Sequence, residues 1–103
     1  MYELEFLPIA KKDMDDIIYY VSNNLKNNLA SKRLAKSFID GANSVLEFPY
    51  GCSIYKPVRT LNNEYRSMKI KNFLMFYTIN EEKKLITVVR VLYQRMDINS
   101  ILE

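Results

Sequence analysis

The stretch from Glu64 to Tyr93 constrains the fold most strongly, because it packs strand-like segments together with almost no connecting residues. The segments read EYRSMKIK, NFLMFYTIN and KLITVVRVLY, and they are joined at Asn72 and across NEEKK. Connectors this short join antiparallel neighbours as hairpins. The middle segment is apolar at both alternating positions, which is typical of a central strand. We therefore predict three antiparallel strands in the C-terminal half.

The N-terminal half predicts one strand and two helices. YELEF alternates apolar residues with glutamates, which is the period of a half-buried strand, and Pro8 then suits the first turn of a helix. Apolar residues next recur at steps of three and four on both sides of the polar SNNLKNN, and Pro49 and Gly51 should end the second helix. The first stripe is Ala10, Met14, Ile17, Ile18, Val21 and Leu25. The second stripe is Ala30, Leu34, Phe38, Ile39, Ala42, Val45 and Leu46.

This order of elements predicts an α+β fold in a single domain spanning residues 1–103. The two helices should form an antiparallel hairpin that covers one face of a four-stranded sheet. The other face, together with the C-terminal residues, is expected to be free for function. The final DINSILE is either a short helix or a frayed end, and Tyr19 and Tyr20 are expected to pack between the helices.

The residue inventory disfavours several classes of function. The chain has no histidine and a single cysteine, Cys52, so it can form no internal disulfide, which fits a reducing cytoplasm. Asp13, Asp15 and Asp16 are clustered but make no convincing metal ligand set, and there is no glycine-rich phosphate loop. We therefore expect no metal and no cofactor. The apolar runs are shorter than the about 20 residues of a membrane helix, and the N-terminus lacks a signal peptide, so we expect no membrane partner.

Charge is distributed unevenly along the chain. The net charge is +3, yet residues 1–55 carry six basic and seven acidic side chains, whereas residues 56–96 carry nine basic and three acidic ones. A basic field confined to one half favours an anionic partner, either nucleic acid or an acidic protein segment.

The basic residues of the predicted sheet allow more than one interpretation. Lys69 and Lys71 share one strand face, Arg66 lies on the other, and Lys56 and Arg59 lie in the preceding loop. The lysines either form a solvated face or belong to a concave cationic surface with aromatic residues at its edge, which would hold phosphates and stack bases.

Arg90 interrupts an apolar strand. By alternation it shares a face with Ile86, Val88 and Leu92. Burying an unpaired guanidinium is too costly, so Arg90 must reach an edge or an open cleft, or pair with a helix carboxylate such as Asp13 or Asp16. Tyr93 and Arg95 follow directly behind this strand.

The C-terminal half resembles the RelE/ParE toxin superfamily over EYRSMKIKNFLMFYTINEEKKLITVVRVLYQRMDINSIL, and the strand-helix-helix order of the first half fits as well. The matching elements are Tyr65-Arg66, Lys69, Asn72, Phe76-Tyr77, Glu81-Glu82 and the run Arg90-Val91-Leu92-Tyr93-Gln94-Arg95-Met96-Asp97. The resemblance implies a toxin of a type II toxin–antitoxin pair of the plasmid-stabilisation type, silenced by a cognate antitoxin. It leaves open a homodimer or a toxin–antitoxin hetero-oligomer.

Two mechanisms occur in this superfamily. RelE-like members cut mRNA in the ribosomal A site, and ParE-like members inhibit DNA gyrase. As a metal-independent ribonuclease, this chain would use the catalytic candidates Arg66, Lys69, Lys71, Arg90, Tyr93 and Arg95.

The chain departs from the nuclease pattern at two positions. Leu74 stands where many nuclease members have an arginine, and Tyr93 stands where many have a histidine. The ending RVLYQRMD is closer to ParE-type members, so a gyrase inhibitor is the preferred interpretation and an mRNA endonuclease the alternative. A third interpretation is a decayed toxin that only binds its antitoxin or has a structural role. The resemblance also implies that Arg90 points into the open face. The alternative is a structural role, in which Arg90 holds the C-terminal tail to the sheet through Asp97.

Overall fold

The fold is described from a computed structural model, which defines residues 1–56 and 61–102. The elements are β1 (Glu3–Phe6), α1 (Pro8–Tyr19), α2 (Asn28–Glu47), β2 (Arg66–Ile70), β3 (Phe73–Asn80), β4 (Leu85–Tyr93) and α3 (Ile98–Leu102). The predicted order is confirmed, and the C-terminal tail is a short helix. The irregular stretch predicted from Tyr50 to Asn63 lies only partly within the described residues.

The strands form one sheet in the order β1-β4-β3-β2. β2, β3 and β4 pair antiparallel as predicted, and β3 lies between the other two. β1 pairs parallel with β4, from Glu3 opposite Leu85 to Phe6 opposite Val88. The first strand of the chain therefore pairs with the last, and the helix hairpin forms the crossover between β1 and the other strands.

The helices begin where local chemistry favours them. Pro8 occupies the first turn of α1, where its missing N–H has no intrahelical acceptor to lose. Asn27 caps α2, because its side chain accepts a hydrogen bond of 3.0 Å from the N–H of Ala30. Gly41 lets α2 lie close to β2, since a Cβ there would lie 2.7 Å from Cδ1 of Ile70.

The main core lies between the helix hairpin and the sheet, as the apolar stripes predicted. Its buried residues are Ala10, Leu34, Phe38, Ala42, Val45, Ile70, Met75, Tyr77, Ile86, Val88 and Val91. Tyr19 and Tyr20 are exceptions to the predicted packing, because 65% and 52% of these residues are exposed. A π-helical segment, Tyr20–Asn24, continues α1. Ile18 and Val21 pack against the core, and the two tyrosines between them lie off this apolar stripe, so their rings face solvent.

The sheet face opposite the helices, called the front face below, carries a second cluster. Phe76 and Leu92 are 0% and 3% exposed because Tyr65 and Ile98 of α3 pack on them. The expectation of an open front face is therefore wrong in part. Apolar residues of α3 and of the segment before β2 cover its centre, and only the margins stay open.

A bulge in β4 changes which face Arg90 occupies. Val88 lies opposite Tyr77, but Arg90 lies opposite the next residue, Phe76, so Val89 is the extra residue. Alternation predicted that Arg90 shares a face with Ile86 and Val88, and the bulge makes this wrong. The register places Arg90 on the front side with Phe76 and Leu92.

Candidate functional site

The turn between β2 and β3 lies beside the end of β4. The N–H of Gln94 donates a hydrogen bond of 3.0 Å to the carbonyl of Asn72. This juxtaposition brings Lys69, Lys71, Tyr93 and Arg95 to one end of the sheet, called the turn end below. The sequence placed the two lysines in one strand and Tyr93 and Arg95 directly behind another, and the antiparallel pairing brings these two ends together.

Lys69 faces front at the turn end. It lies opposite Leu74, which in turn lies opposite Leu92 of the second cluster. Lys69 is exposed and forms no ion pair with any described residue. Its neighbour in this row is thus a leucine, at the position where the nuclease pattern has an arginine.

Lys71 does not share a strand face with Lys69, contrary to the prediction. β2 ends at Ile70, and Lys71 lies in the turn with a positive φ of 54°. The alternation of side chains along β2 therefore ends at Ile70 and does not determine the direction of the Lys71 side chain. Lys71 and Arg95 are both exposed, and neither forms an ion pair within the described part of the chain.

Arg90 is paired with Asp13, one of the two carboxylates that the sequence suggested. Its Nε and Nη2 donate to the Asp13 carboxylate at 2.8 and 2.9 Å, and the N–H of Val91 donates to the same group at 3.0 Å. The side chains are only 22% and 13% exposed, and the hydrogen bond to Asp13 raises the pKa of Arg90. Asp16 instead pairs with Lys12 at 2.7 Å.

The contact between Arg90 and Asp97, which was the structural alternative for this arginine, is absent from the described structure. The carboxylate of Asp97 accepts a hydrogen bond of 2.8 Å from Ser100 Oγ instead, within the segment that begins α3. Arg90 therefore joins the sheet to α1 and does not hold the tail.

Arg66 lies on the opposite side of the sheet from Lys69. It is opposite Tyr77, whose ring belongs to the core beneath the helices. Its Nη1 donates to the carbonyl of Cys52 at 2.6 Å, and its guanidinium lies 5.0 Å from the centre of the Tyr50 ring. Arg66 thus holds the loop after α2 against the sheet.

Tyr93 also belongs to the helix side. It lies opposite Phe73, and the two rings make an edge contact with centres 6.0 Å apart. Phe73 makes a similar contact with Phe38 of α2, and Tyr93 remains 40% exposed. The candidate residues therefore form no single catalytic cluster. Lys69, Lys71, Tyr93 and Arg95 share an end of the sheet, whereas Arg66 and Arg90 are held elsewhere by internal contacts.

A groove that the sequence did not predict opens at the front of the turn end. It encloses about 600 Å³ and is called the front groove. Its lining residues are Tyr55, Leu74, Gln94, Met96, Asp97, Ile98, Asn99 and Ser100. Tyr55 closes one wall, since its hydroxyl donates to Asn99 Oδ1 at 2.8 Å. The groove exists only because α3 folds back onto the sheet, and no sequence period reports such a contact.

A second unpredicted cluster surrounds Glu81 at the other end of the sheet. Its carboxylate accepts from Tyr2 at 2.7 and 2.9 Å, from Tyr50 at 2.6 Å, and from Lys84. Hydrogen bonds, first from Lys84, lower the pKa of Glu81 to about 2, and the Glu81 carboxylate raises the pKa of Tyr50 to about 12. This arrangement ties three chain segments together.

The described residues contain no group of three or more histidine, cysteine or acidic side chains that could hold a metal ion. No helix in residues 1–56 and 61–102 is long and apolar enough to cross a membrane.

Lys56 is exposed, and Arg59 lies outside the described residues. The turn end thus offers cations beside an apolar groove, an arrangement suited to binding an anionic partner.

Comparisons with known proteins agree with this architecture. The structure is similar to the RelBE2 toxin–antitoxin complex from Mycobacterium tuberculosis, with a TM-score of 0.65, 17% identity, and coverage of 89% of this chain and 96% of that one. It is similar to the chromosomal ParDE system from P. aeruginosa, with a TM-score of 0.69, 14% identity, and coverage of 90% of this chain and 96% of that chain. It is also similar to the isolated E. coli RelE toxin, with a TM-score of 0.56, 19% identity, and coverage of 99% of this chain and 95% of that chain.

At these identities the likeness shows the fold. No curated protein sequence matches the chain significantly. The family model described as the ParE toxin of the type II toxin–antitoxin system parDE matches residues 4–98, which include both long helices and every strand residue except Glu3. The chain therefore belongs to the ParE toxin family, within the RelE/ParE superfamily of type II toxin–antitoxin toxins.

Proposed function

We propose that this toxin acts in the ParE-like manner, inhibiting DNA gyrase by binding it. The observation that carries the proposal is the pair between Arg90 and Asp13. A phosphate would have to displace a carboxylate that holds two guanidinium nitrogens in a mostly buried site. Charge-assisted bidentate pairs of this kind are strong, and breaking one leaves an unpaired charge.

Arg66 and Leu74 support the same conclusion. Arg66 contacts the Cys52 carbonyl on the helix side, and Leu74 offers no charge at the front. Removing one preorganised donor from a transition-state site costs about 3–4 kcal/mol. A ribonuclease built on this chain would lack several donors at once.

A cognate antitoxin is the proposed regulatory partner. The similar structures include RelBE and ParDE assemblies that contain an antitoxin. The basic balance of residues 56–96 suits an acidic antitoxin segment, in a hetero-oligomer that forms in the cytoplasm where gyrase acts.

A supercoiling assay with purified gyrase tests the proposal. We expect purified toxin to block the supercoiling of relaxed plasmid, and the cognate antitoxin, added first, to restore it. Unaffected supercoiling at a large molar excess of folded toxin would contradict the proposal.

The second candidate function is a RelE-like, metal-independent endonuclease that cuts mRNA on the ribosome. It is favoured by Lys69, Lys71 and Arg95, which are unpaired within the described residues, and by Tyr93 at the same end of the sheet. Primer extension on a translated message would show cuts in the ribosomal A site that disappear in the Lys69→Ala protein. Intact message in the presence of active ribosomes would eliminate this function.

A further inference from the structure

The front groove has an apolar floor. Leu74 and Ile98 belong to the second hydrophobic cluster, and Met96 beside them is 48% exposed. An unbranched thioether side chain in an open position adapts its shape to a partner, and methionine is common at such surfaces. The floor therefore fits an apolar side chain.

Three cations are direct neighbours of the groove-lining residues, in the strand pairing or along the chain. Lys69 lies opposite Leu74, Arg95 stands between the lining residues Gln94 and Met96, and Lys56 follows Tyr55 in the chain. All three are exposed and form no ion pair with a described residue. The carboxylate lining the groove, that of Asp97, already accepts a hydrogen bond from Ser100.

The aromatic residue of the groove is not available for stacking on a base. The Tyr55 ring makes an edge contact with Phe76, with ring centres 5.2 Å apart and planes at 84°, and its hydroxyl is bonded to Asn99. Recognition of single-stranded nucleic acid relies on open aromatic faces together with phosphate-binding cations. Arg90, on this same side of the sheet, is held by Asp13. The groove therefore suits a protein better than RNA or DNA.

We propose that the front groove is the target-docking site and that it receives an acidic protein segment with one apolar side chain. That side chain enters between Leu74 and Met96, and flanking carboxylates pair with Lys69, Lys56 and Arg95. The inference rests on the proposed function, because it assigns this segment to gyrase.

Charge reversal at the rim of the front groove, meaning the exposed cations Lys56, Lys69 and Arg95, tests the site without disturbing the fold. The Lys69→Glu/Arg95→Glu protein changes two exposed groups, and Lys32→Glu/Lys83→Glu is a matched control with the same change in net charge at exposed positions away from the groove. Calorimetric titration into gyrase without DNA should show at least about tenfold weaker binding for the rim variant and less than about threefold for the control. The exposed Met96→Asp change should weaken binding similarly, and thermal unfolding of each protein verifies its fold.

The outcomes separate the two proposals. If the wild-type toxin neither binds nor inhibits gyrase, the proposed function fails, and the docking inference fails with it. If the wild type inhibits gyrase and the rim and Met96→Asp variants do so equally well, the groove inference alone is overturned. It is also overturned if those variants keep gyrase binding but lose antitoxin binding, or if the wild type binds a single-stranded oligonucleotide in place of gyrase.

Discussion

At the scale of single residues, Asp13 provides a hydrogen-bond acceptor for the part of β4 that extends beyond its pairing with β1. β1 ends at Phe6 opposite Val88, so Val91 has no neighbouring strand on that side to accept its N–H. The Asp13 carboxylate accepts that N–H and two guanidinium nitrogens of Arg90. A residue of α1 thus substitutes for a missing length of strand.

We predict that Asp13→Ala lowers the free energy of unfolding by about 2–4 kcal/mol, because it leaves a partly buried guanidinium and a backbone donor without acceptors. Urea unfolding followed by circular dichroism measures this loss. The matched control is Asp15→Ala, an exposed carboxylate of the same helix, which should cost less than about 0.5 kcal/mol. Equal losses for the two variants would contradict the structural role of Asp13.

Tyr77 carries a second single-residue prediction. Its hydroxyl is buried and donates to the carbonyl of the buried Pro49 at 2.8 Å, and burial raises the pKa of this phenol. We expect Tyr77→Phe to destabilise the fold by about 1–2 kcal/mol, since it leaves a buried carbonyl unsatisfied. The exposed Tyr20→Phe should leave the urea midpoint unchanged, and a Tyr77→Phe protein as stable as the wild type would refute the expectation.

At the scale of elements, two tertiary contacts complete what the strands and helices begin. Glu81, in the turn between β3 and β4, binds Tyr2 beside β1 and Tyr50 in the loop after α2. At the other end of the sheet, α3 covers Phe76 and Leu92 through Ile98. Each contact joins segments that are distant in sequence.

The Glu81 cluster predicts a pH-dependent stability. The folded-state pKa of Glu81 is lowered to about 2 from an ordinary value of 4.5, so its contribution is complete above pH 4.5 and is lost as the pH falls towards 2. Glu81→Gln should therefore unfold at a lower temperature than wild type at pH 7, and the gap should close between pH 4.5 and 2. Glu82→Gln, the exposed neighbour, is the control. A gap that persists at pH 2 would show that charge is not the cause.

The same cluster acts in the opposite direction at alkaline pH. The pKa of Tyr50 is raised to about 12 from 10.0, so the protonated phenol stabilises the fold below pH 10 and this contribution is lost between pH 10 and 12. The difference in unfolding temperature between wild type and Tyr50→Phe should shrink over that range. A constant difference from pH 8 to 12 would argue against the hydrogen bond to Glu81.

The docking of α3 predicts a cost for Ile98→Ala. Ile98 is 7% exposed within the second cluster, and shortening it leaves a cavity against Phe76 and Leu92. We expect a loss of about 2–3 kcal/mol in the free energy of unfolding. Ile39→Ala, at a helix residue that is 62% exposed, should cost much less, and comparable losses would mean that α3 contributes little.

At the scale of the whole molecule, the sequence was informative wherever structure follows from local periodicity. The alternation of YELEF, the helical stripes and the hairpin connectors predicted the elements, their order and the packing of both helices on a single face of the sheet. The face of Arg90 was not predictable, because the bulge at Val89 depends on pairing between strands. The covering of the front face by Ile98 was also not predicted. A helix of five residues makes little more than one turn, so its sequence shows no repeating apolar stripe that would indicate its packing partner.

The candidate site was likewise predictable from the sequence only in part. The composition predicted a basic C-terminal half, and the register gathers Lys69, Lys71 and Arg95 at the turn end. Whether an arginine is open or paired depends on a partner far away in sequence, as Arg90 depends on Asp13. The sequence offered Asp13, Asp16 and Asp97 as partners, and nothing in it decided among them.

The uneven charge of the molecule makes a prediction about its target. Residues 56–96 carry nine basic and three acidic side chains, so attraction to an acidic partner should weaken as salt screens it. Raising the salt concentration from about 50 to about 200 mM should weaken the proposed binding to gyrase several-fold, as measured by calorimetry. An affinity that does not change with salt would imply an apolar contact alone.

The pairing of β1 with β4 has a consequence for synthesis. Glu3 emerges from the ribosome early, but its partner Leu85 must follow almost the entire chain before the sheet can close. The sheet is therefore incomplete until residues 85–88 have been synthesised. We expect the toxin to become active only after that point. The time needed to translate the toxin chain is then available for synthesis of the antitoxin.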